Sequence, residues 1–214
     1  VEEKEIQVTG IFEELFPTVL GFYELPNIDN SVLIKHVDNL RQRQSGIFDN
    51  GNIYQSTGTL HQDNELTQLN NYVTKCVENY LDTHKYQYNK DNLYISNCWA
   101  NSSGNLACTH RSHIHRNTII SAVYFVSVPS GSGKLYFPHS NLSAEMLRPE
   151  TAELHPYNWL EYLVNPTPGL CVIFKSSTQH GVEQNNISDD NHRLSIAYTY
   201  NIKDIGEGSN YAKS

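Results

Sequence analysis

Three histidines fall within six residues in the stretch HRSHIHRNTIISAVYFVSVP, 110–129. Imidazole is the commonest metal ligand in proteins, and side chains two apart on a strand share a face. His113 and His115 could therefore both reach one metal ion, whereas His110 is off that register. A lone pair of this kind also occurs on exposed strands and loops that bind nothing, so a third donor is needed. His180 is the best candidate: it comes after Pro168-Gly169, the apolar run LCVIF and a polar KSSTQ, just past the end of a buried strand. A further feature is HRLSIAYTY, where Arg193 opens an otherwise apolar strand and Ser195 shares its face. An inward guanidinium is costly unless paired, and its fork beside a hydroxyl suits a carboxylate. Plain alternatives stand beside each reading: a satisfied core histidine, and a strand-end arginine whose head reaches water.

The elements that must position these groups divide the chain in two. Between about 32 and 81 the apolar residues recur with helical spacing. In 31–44, Val32, Leu33, His36, Val37 and Leu40 make one stripe, which predicts a short helix packed on one face. In 63–83, Leu66, Leu69, Val73, Cys76, Val77, Tyr80 and Leu81 lie on one side, and Asn70, Asn71, Lys75 and Glu78 largely on the other. That predicts an amphipathic helix capped by Asp63 or Asn64, with Glu65 at its positive end. The intervening DNGNIYQSTGTLHQ is punctuated by turn residues and reads as a turn with a short strand.

After Asn92, the runs LYISNCWA, TIISAVYFVSVP, GKLYFP, GLCVIF and HRLSIAYTYNI are strand-length, rich in β-formers and bounded by Gly, Pro, Asn or Ser. Strands following helices without βαβ alternation predict a mainly β, α+β protein or a sandwich backed by helices. Ser130 to Gly133, SGSG, is a turn between two strands.

With 214 residues the chain is long enough for one buried core. Its formal charge of −8 opposes broad binding to phosphate backbones, so nucleic acid is a poor first choice of partner. No apolar run approaches the roughly 20 residues that span a bilayer, and the opening VEEKEIQV is acidic, unlike an export signal. A soluble protein is expected. Cys76, Cys98, Cys108 and Cys171 have no CxxC spacing and read as reduced, mostly packing thiols.

Taken together, HIHRNTIISAVYFVSVPSGSGKLYF, then PGLCVIFKSSTQHGVEQN, then HRLSIAY resemble the iron(II) and 2-oxoglutarate dependent oxygenases, in particular the small prolyl-hydroxylase-like members of bacteria and phages. The resemblance extends to ELFPTVLGFYEL as an opening strand, IYQSTGTLHQ before the long helix, and CWANSSG before the metal motif. It implies a double-stranded β-helix, or jelly-roll, with the N-terminal helices packed outside. A single domain over 1–214 follows, with 1–90 as helical support and first strands, 91–203 as the core with the metal site, and 204–214 as a tail. It implies His113, His115 and His180 as metal ligands and Arg193 with Ser195 as the clamp for the far carboxylate of 2-oxoglutarate. The cofactors implied are Fe(II) and 2-oxoglutarate, with O2 as cosubstrate, and the location is cytoplasmic, in a bacterium or a phage-infected cell.

The implied reaction is hydroxylation of a C–H bond in a peptide, protein or small molecule, with release of succinate and CO2. The histidines are then ligands and not general bases. Two departures stand out. Most relatives have HxD where this chain has His115, which leaves open whether the third imidazole binds. Many have a tyrosine where Phe125 stands, and Tyr124 next to it should face the other side. Lys134, Tyr136, His139 and the loop 140–162, with Tyr157, Trp159 and Tyr162, could line the entrance, although a lid packed by its own aromatics fits the loop equally. Two rivals remain: a cupin-like three-histidine metalloenzyme that uses no 2-oxoglutarate, and a non-catalytic binding or structural protein on the same scaffold. Against the cupin, RNTIIS follows HxH where cupins place a glutamate.

Overall fold

The computed structural model describes residues 10–11, 13–25, 27–44, 46–50, 52–104, 110–141, 147–188 and 191–203. Cys108 and the expected tail at 204–214 lie outside the described residues. Among the described residues there are two α-helices, α1 (Asn30–Gln42) and α2 (Thr67–Thr83). Eleven strands accompany them: β1 (Gly21–Glu24), β2 (Phe48–Asp49), β3 (Ile53–Gln55), β4 (Leu93–Ser103), β5 (His110–His113), β6 (Ile120–Ser127), β7 (Leu135–Pro138), β8 (Glu161–Val164), β9 (Leu170–Lys175), β10 (His180–Val182) and β11 (Arg193–Ile202).

Both helices form where the apolar stripes place them. Asp29 opens α1, its Oδ1 accepting from the Ser31 backbone N at 3.0 Å and from its Oγ at 2.6 Å. The expected cap of α2 is not made. A single 3-10 turn, Asn64–Leu66, leads into the helix, and Leu66 sits at the N-cap with no side-chain hydrogen bond. Asp63 is engaged elsewhere, its Oδ2 lying 2.8 Å from Nε2 of the half-buried His36 on α1. That contact ties the two helical segments together, which an exposed cap would not do.

The strands make two antiparallel sheets. The larger has the order β1-β9-β6-β11-β4-β3-β2 and the smaller the order β5-β10-β7-β8. Two sheets packed face to face in this manner form the double-stranded β-helix core. Alternation along β11 explains why its first eight residues are all buried. Leu194, Ile196, Tyr198 and Tyr200 join Leu33 and Val37 of α1 and Leu69, Val73 and Val77 of α2 in one apolar cluster. Arg193, Ser195 and Ala197 take the other parity and face the smaller sheet. Between the sheets a second cluster holds Phe125, Val172 and Phe174 from the large sheet with Leu135, Phe137 and Val164 from the small one. Each such apolar side chain contributes about 1.5–3 kcal/mol when fully buried.

Tyr124 and Phe125 separate as alternation requires. The Tyr124 hydroxyl donates to Asn30 Oδ1 of α1 at 2.7 Å, while Phe125 lies between the sheets. The SGSG segment is the expected turn. Gly131 has φ +85°, and a Cβ there would come within 1.9 Å of the Asn186 carbonyl, so only glycine fits. Cys76, Cys98 and Cys171 are buried free thiols. Among the described residues no helix is long and apolar enough to cross a membrane.

Candidate active site

His113 ends β5 and His180 begins β10, and the two are directly paired across those strands. His115 lies beyond the strand, where its backbone N donates to the Ser176 carbonyl at 3.0 Å. The turn at Asn117, with φ 62°, then leads the chain into β6. The three imidazoles converge nonetheless. Ring centroids are 4.5 Å apart for His113 and His180, 5.0 Å for His113 and His115, and 5.1 Å for His115 and His180. One ligand atom from each lies within 4.8 Å of the others.

Two of the rings are oriented by the backbone. Nδ1 of His113 lies 2.8 Å from the Arg111 carbonyl, and Nδ1 of His180 lies 2.9 Å from the Thr178 carbonyl. Since a carbonyl only accepts, both Nδ1 atoms carry the proton and both Nε2 lone pairs are left for a metal. His115 packs edge-on to Trp99, with centroids 5.5 Å apart.

Burial pushes the His180 pKa down to about 3, the Thr178 hydrogen bond opposing and the neighbouring histidines assisting. Burial, and then His113, pushes His115 down to about 4. Both are neutral near pH 7, as ligands must be. The donor set fits a divalent transition metal: three imidazole nitrogens on one side, with His113 exposed and His180 buried.

These groups open on a cavity of about 350 Å3 between the sheets, whose walls also include Trp99, Asn101, Val123, Leu135, Arg193 and Ser195. Arg193 is only 3% exposed. Its Nη1 donates to Ser195 Oγ at 3.2 Å, and the guanidinium lies 5.2 Å from the centre of the Phe125 ring. All five residues singled out thus meet in one cavity, with His113 and His180 of the small sheet, and His115 just beyond it, across from a guanidinium and hydroxyl of the large one.

Residues 97–199 match a family model described as "Putative 2OG-Fe(II) oxygenase". That match takes in 103 of the 214 residues, just under half of the chain, and supports an enzyme of the 2OG-Fe(II) oxygenase class. That family uses iron(II) and 2-oxoglutarate, and the three-histidine set is a possible site for the metal. No curated protein matches it. Among solved structures it is similar to a prolyl-4-hydroxylase from Pseudomonas putida, at 13% identity and TM-score 0.59 over 87% of this chain and 94% of that one. Similarity to AviO1 from Streptomyces viridochromogenes Tue57 is 13% identity at TM-score 0.61, over 87% and 91%. HygX from Streptomyces hygroscopicus, solved with nickel, 2-oxoglutarate and hygromycin B bound, matches at 11% identity and TM-score 0.53, over 87% and 84%. At these identities the likeness is one of fold.

Sequence reasoning missed several walls of this cavity. Gln55 on β3 pairs with Asn101 on β4, which pairs with Ser195, and Trp99 pairs with Ala197. The signal was parity: once Ser195 is taken to face inward, every residue opposite it does too. His110 was set aside as off register, yet it lines the same cavity. Three steps of β5, from His110 to His113, oppose two steps of β10, from Val182 to His180. The extra residue is a β-bulge, which turns His110 back to the face of His113.

A wider groove of about 1280 Å3 adjoins this site at Ile114, Phe137, Thr178 and Gln179. His139, Tyr157, Trp159 and Tyr162 line it, with residues 13–20 forming the facing wall. Lys134 and Tyr136, also expected at the entrance, are not among its walls. Tyr136 turns away and covers Gly181, where an added Cβ would meet its ring at 2.5 Å. The loop aromatics pack on one another as well, with Trp159 and Tyr162 rings 5.0 Å apart, so wall and self-packing are both realised.

Proposed function

We propose that this oxygenase hydroxylates a C–H bond of a peptide or protein, prolyl-type, or of a small molecule. In this reading His113, His115 and His180 hold iron, and Arg193 with Ser195 holds the far carboxylate of 2-oxoglutarate. The observation that carries it is the meeting of the three imidazoles and the Arg193–Ser195 pair in one cavity between the sheets. Iron(II) held there would, with 2-oxoglutarate and O2, supply the oxidising chemistry, one oxygen atom going into succinate as CO2 is lost and the other into the substrate.

The chain's own residues do the positioning. Arg193, fixed by Ser195 and seated on Phe125, offers a charge-assisted contact to a carboxylate and sets its distance from the imidazoles. Val123, Leu135 and Ala197 give the cavity an apolar lining that keeps water from the reacting groups. The adjoining groove is open and, at about 1280 Å3, several times larger than the cavity, which supports a peptide or another bulky substrate. Proteins similar in fold have been solved with a peptide fragment and with hygromycin B bound, so this fold can hold either kind of molecule. A cytoplasmic setting goes with the buried, unbridged thiols.

The test is anaerobic iron(II) titration with and without 2-oxoglutarate, following the weak visible charge-transfer band of the chelate. The band is expected in the wild type and weakened in Arg193→Ala. Its loss in His115→Ala marks the third imidazole as a ligand. Iron binding with no band in the wild type would sink the proposed clamp and favour a cupin-like use of the three histidines.

A further inference from the structure

We propose that His110 is a second donor to the far carboxylate of 2-oxoglutarate, acting beside Arg193, and that the bulge in β5 exists to bring it there. The inference rests on the reading of Arg193 given above. In an unbroken strand, residues three apart face opposite ways, which would send His110 out of the site while His113 points in. The pairing of His113 with His180 and of His110 with Val182 removes that conflict, since His180 and Val182 share a face of β10. Both histidines line the one cavity.

Position along the strand separates their tasks. His110 sits two steps of β10 away from the metal end, roughly 7 Å at the usual rise. It is not among the three residues whose ligand atoms cluster. Its surroundings belong to the arginine instead. Arg193 pairs with Ser103, the last residue of β4, and the chain leaves that strand to begin β5 at His110. After burial, the Arg193 guanidinium is the largest influence lowering the His110 pKa, with His113 next.

The far carboxylate has two oxygens and several lone pairs to satisfy. On the large-sheet side Arg193 is flanked by the Ser195 hydroxyl and by the apolar face of Phe125, which donates nothing. An imidazole N–H from the opposite wall supplies the missing direction. A five-carbon keto diacid chelated at the imidazole end would then be held at its far end from both sheets at once.

The experiment uses the full chain loaded with nickel(II), which binds keto acids without turning over, and reads affinity by calorimetry. Two ligands are compared: 2-oxoglutarate, and 2-oxobutyrate, which lacks the far carboxylate. His110→Ala is expected to weaken 2-oxoglutarate about tenfold while leaving 2-oxobutyrate and nickel affinity unchanged, and His110→Gln, which keeps a donor, to recover most of the loss. Equal weakening of both acids, or loss of nickel, would show a metal or structural role and overturn the proposal. Unchanged 2-oxoglutarate affinity in both variants overturns it too. Arg193→Ala separates the two readings. If it weakens 2-oxoglutarate and His110→Ala does not, only this inference falls; if the wild type treats both acids alike, the arginine clamp falls with it.

Discussion

The two sheets of this protein differ in what their residues are for. β4, β6 and β11 of the large sheet run for 11, 8 and 10 residues and are covered on one face by helices and on the other by the small sheet. The small sheet has strands of 4, 3, 4 and 4 residues, yet two of them carry His113 and His180. Long strands buried on both faces hold their register firmly, because a slip of one residue would drive polar groups into apolar layers. Short strands can be bent, bulged and ended where a side chain must be aimed. The large sheet is therefore a frame, and the small sheet an adjustable mount for the candidate ligands. Asn185 joins them: its Nδ2 donates to Ser103 Oγ at 2.9 Å and to the Gly104 carbonyl at 2.9 Å, while Oδ1 accepts from Gly133 N at 2.8 Å.

The contrast is broken most severely by paired substitutions, one in each sheet. Tyr198 is fully buried beneath the helices, with its hydroxyl donating to Asn70 Oδ1 at 3.1 Å. Tyr198→Ala should cost about 3–5 kcal/mol of stability, as large aromatic truncations do, and leave the metal affinity of the folded fraction intact. His180→Ala should do the reverse. Metal affinity should fall beyond the 10–100-fold typical of losing an outer-shell partner, with a much smaller change in the unfolding midpoint of the metal-free protein. Denaturant unfolding and metal titration on both variants check this. Similar losses in both assays for both variants would mean that frame and mount are one cooperative unit.

A subtler probe moves the mount without touching a ligand. At Gly181 an added Cβ would lie 2.5 Å from the Tyr136 ring and 2.6 Å from the His110 carbonyl, and the second of these is backbone that cannot swing aside. Gly181→Ala should push β5 away from β10 and part His113 from His180. A loss of metal affinity of about tenfold is expected, in keeping with displaced ligand geometry, with helical circular dichroism unchanged. Wild-type affinity in this variant would show that the small sheet tolerates displacement.

The same contrast governs what could be read in advance. β4, β6, β9 and β11 were legible because burial on two faces leaves a dense run of β-formers between turn residues. The small sheet was mostly invisible: only β7 was read as a strand from its own residues. HRSH and HGV have neither length nor alternation, and EYLV hides at the end of a long loop. What was visible there was chemistry. His113, His115, His180, Arg193 and Ser195 were found by residue type and spacing and by their resemblance to a family, and the fold brings them to one cavity. His110 was misread because a bulge is a property of two strands at once, and no single strand's sequence declares its partner's register. The cap of α2 was misread for a related reason: Asp63 answers to His36, 27 residues away, and not to the helix it precedes.

The smallest expected effect is on pH dependence, and it too separates the sheets. In the metal-free protein burial holds His115 down at about 4 and His180 at about 3, against an ordinary 6.5. Protons then bind the unfolded chain more readily than the folded one between those values. Their contribution to stability is present above pH 6.5 and is lost as the pH falls through about 4 towards 3. The unfolding midpoint should therefore decline over that window. A bound metal competes for the same nitrogens, so loading should move the decline to lower pH and release protons on binding. In His180→Gln the decline should be shallower, while in Tyr198→Ala the midpoint should fall at every pH with the same slope. A decline as steep in His180→Gln as in the wild type would place the titrating groups outside the imidazole cluster and leave the small sheet without its predicted sensitivity to acid.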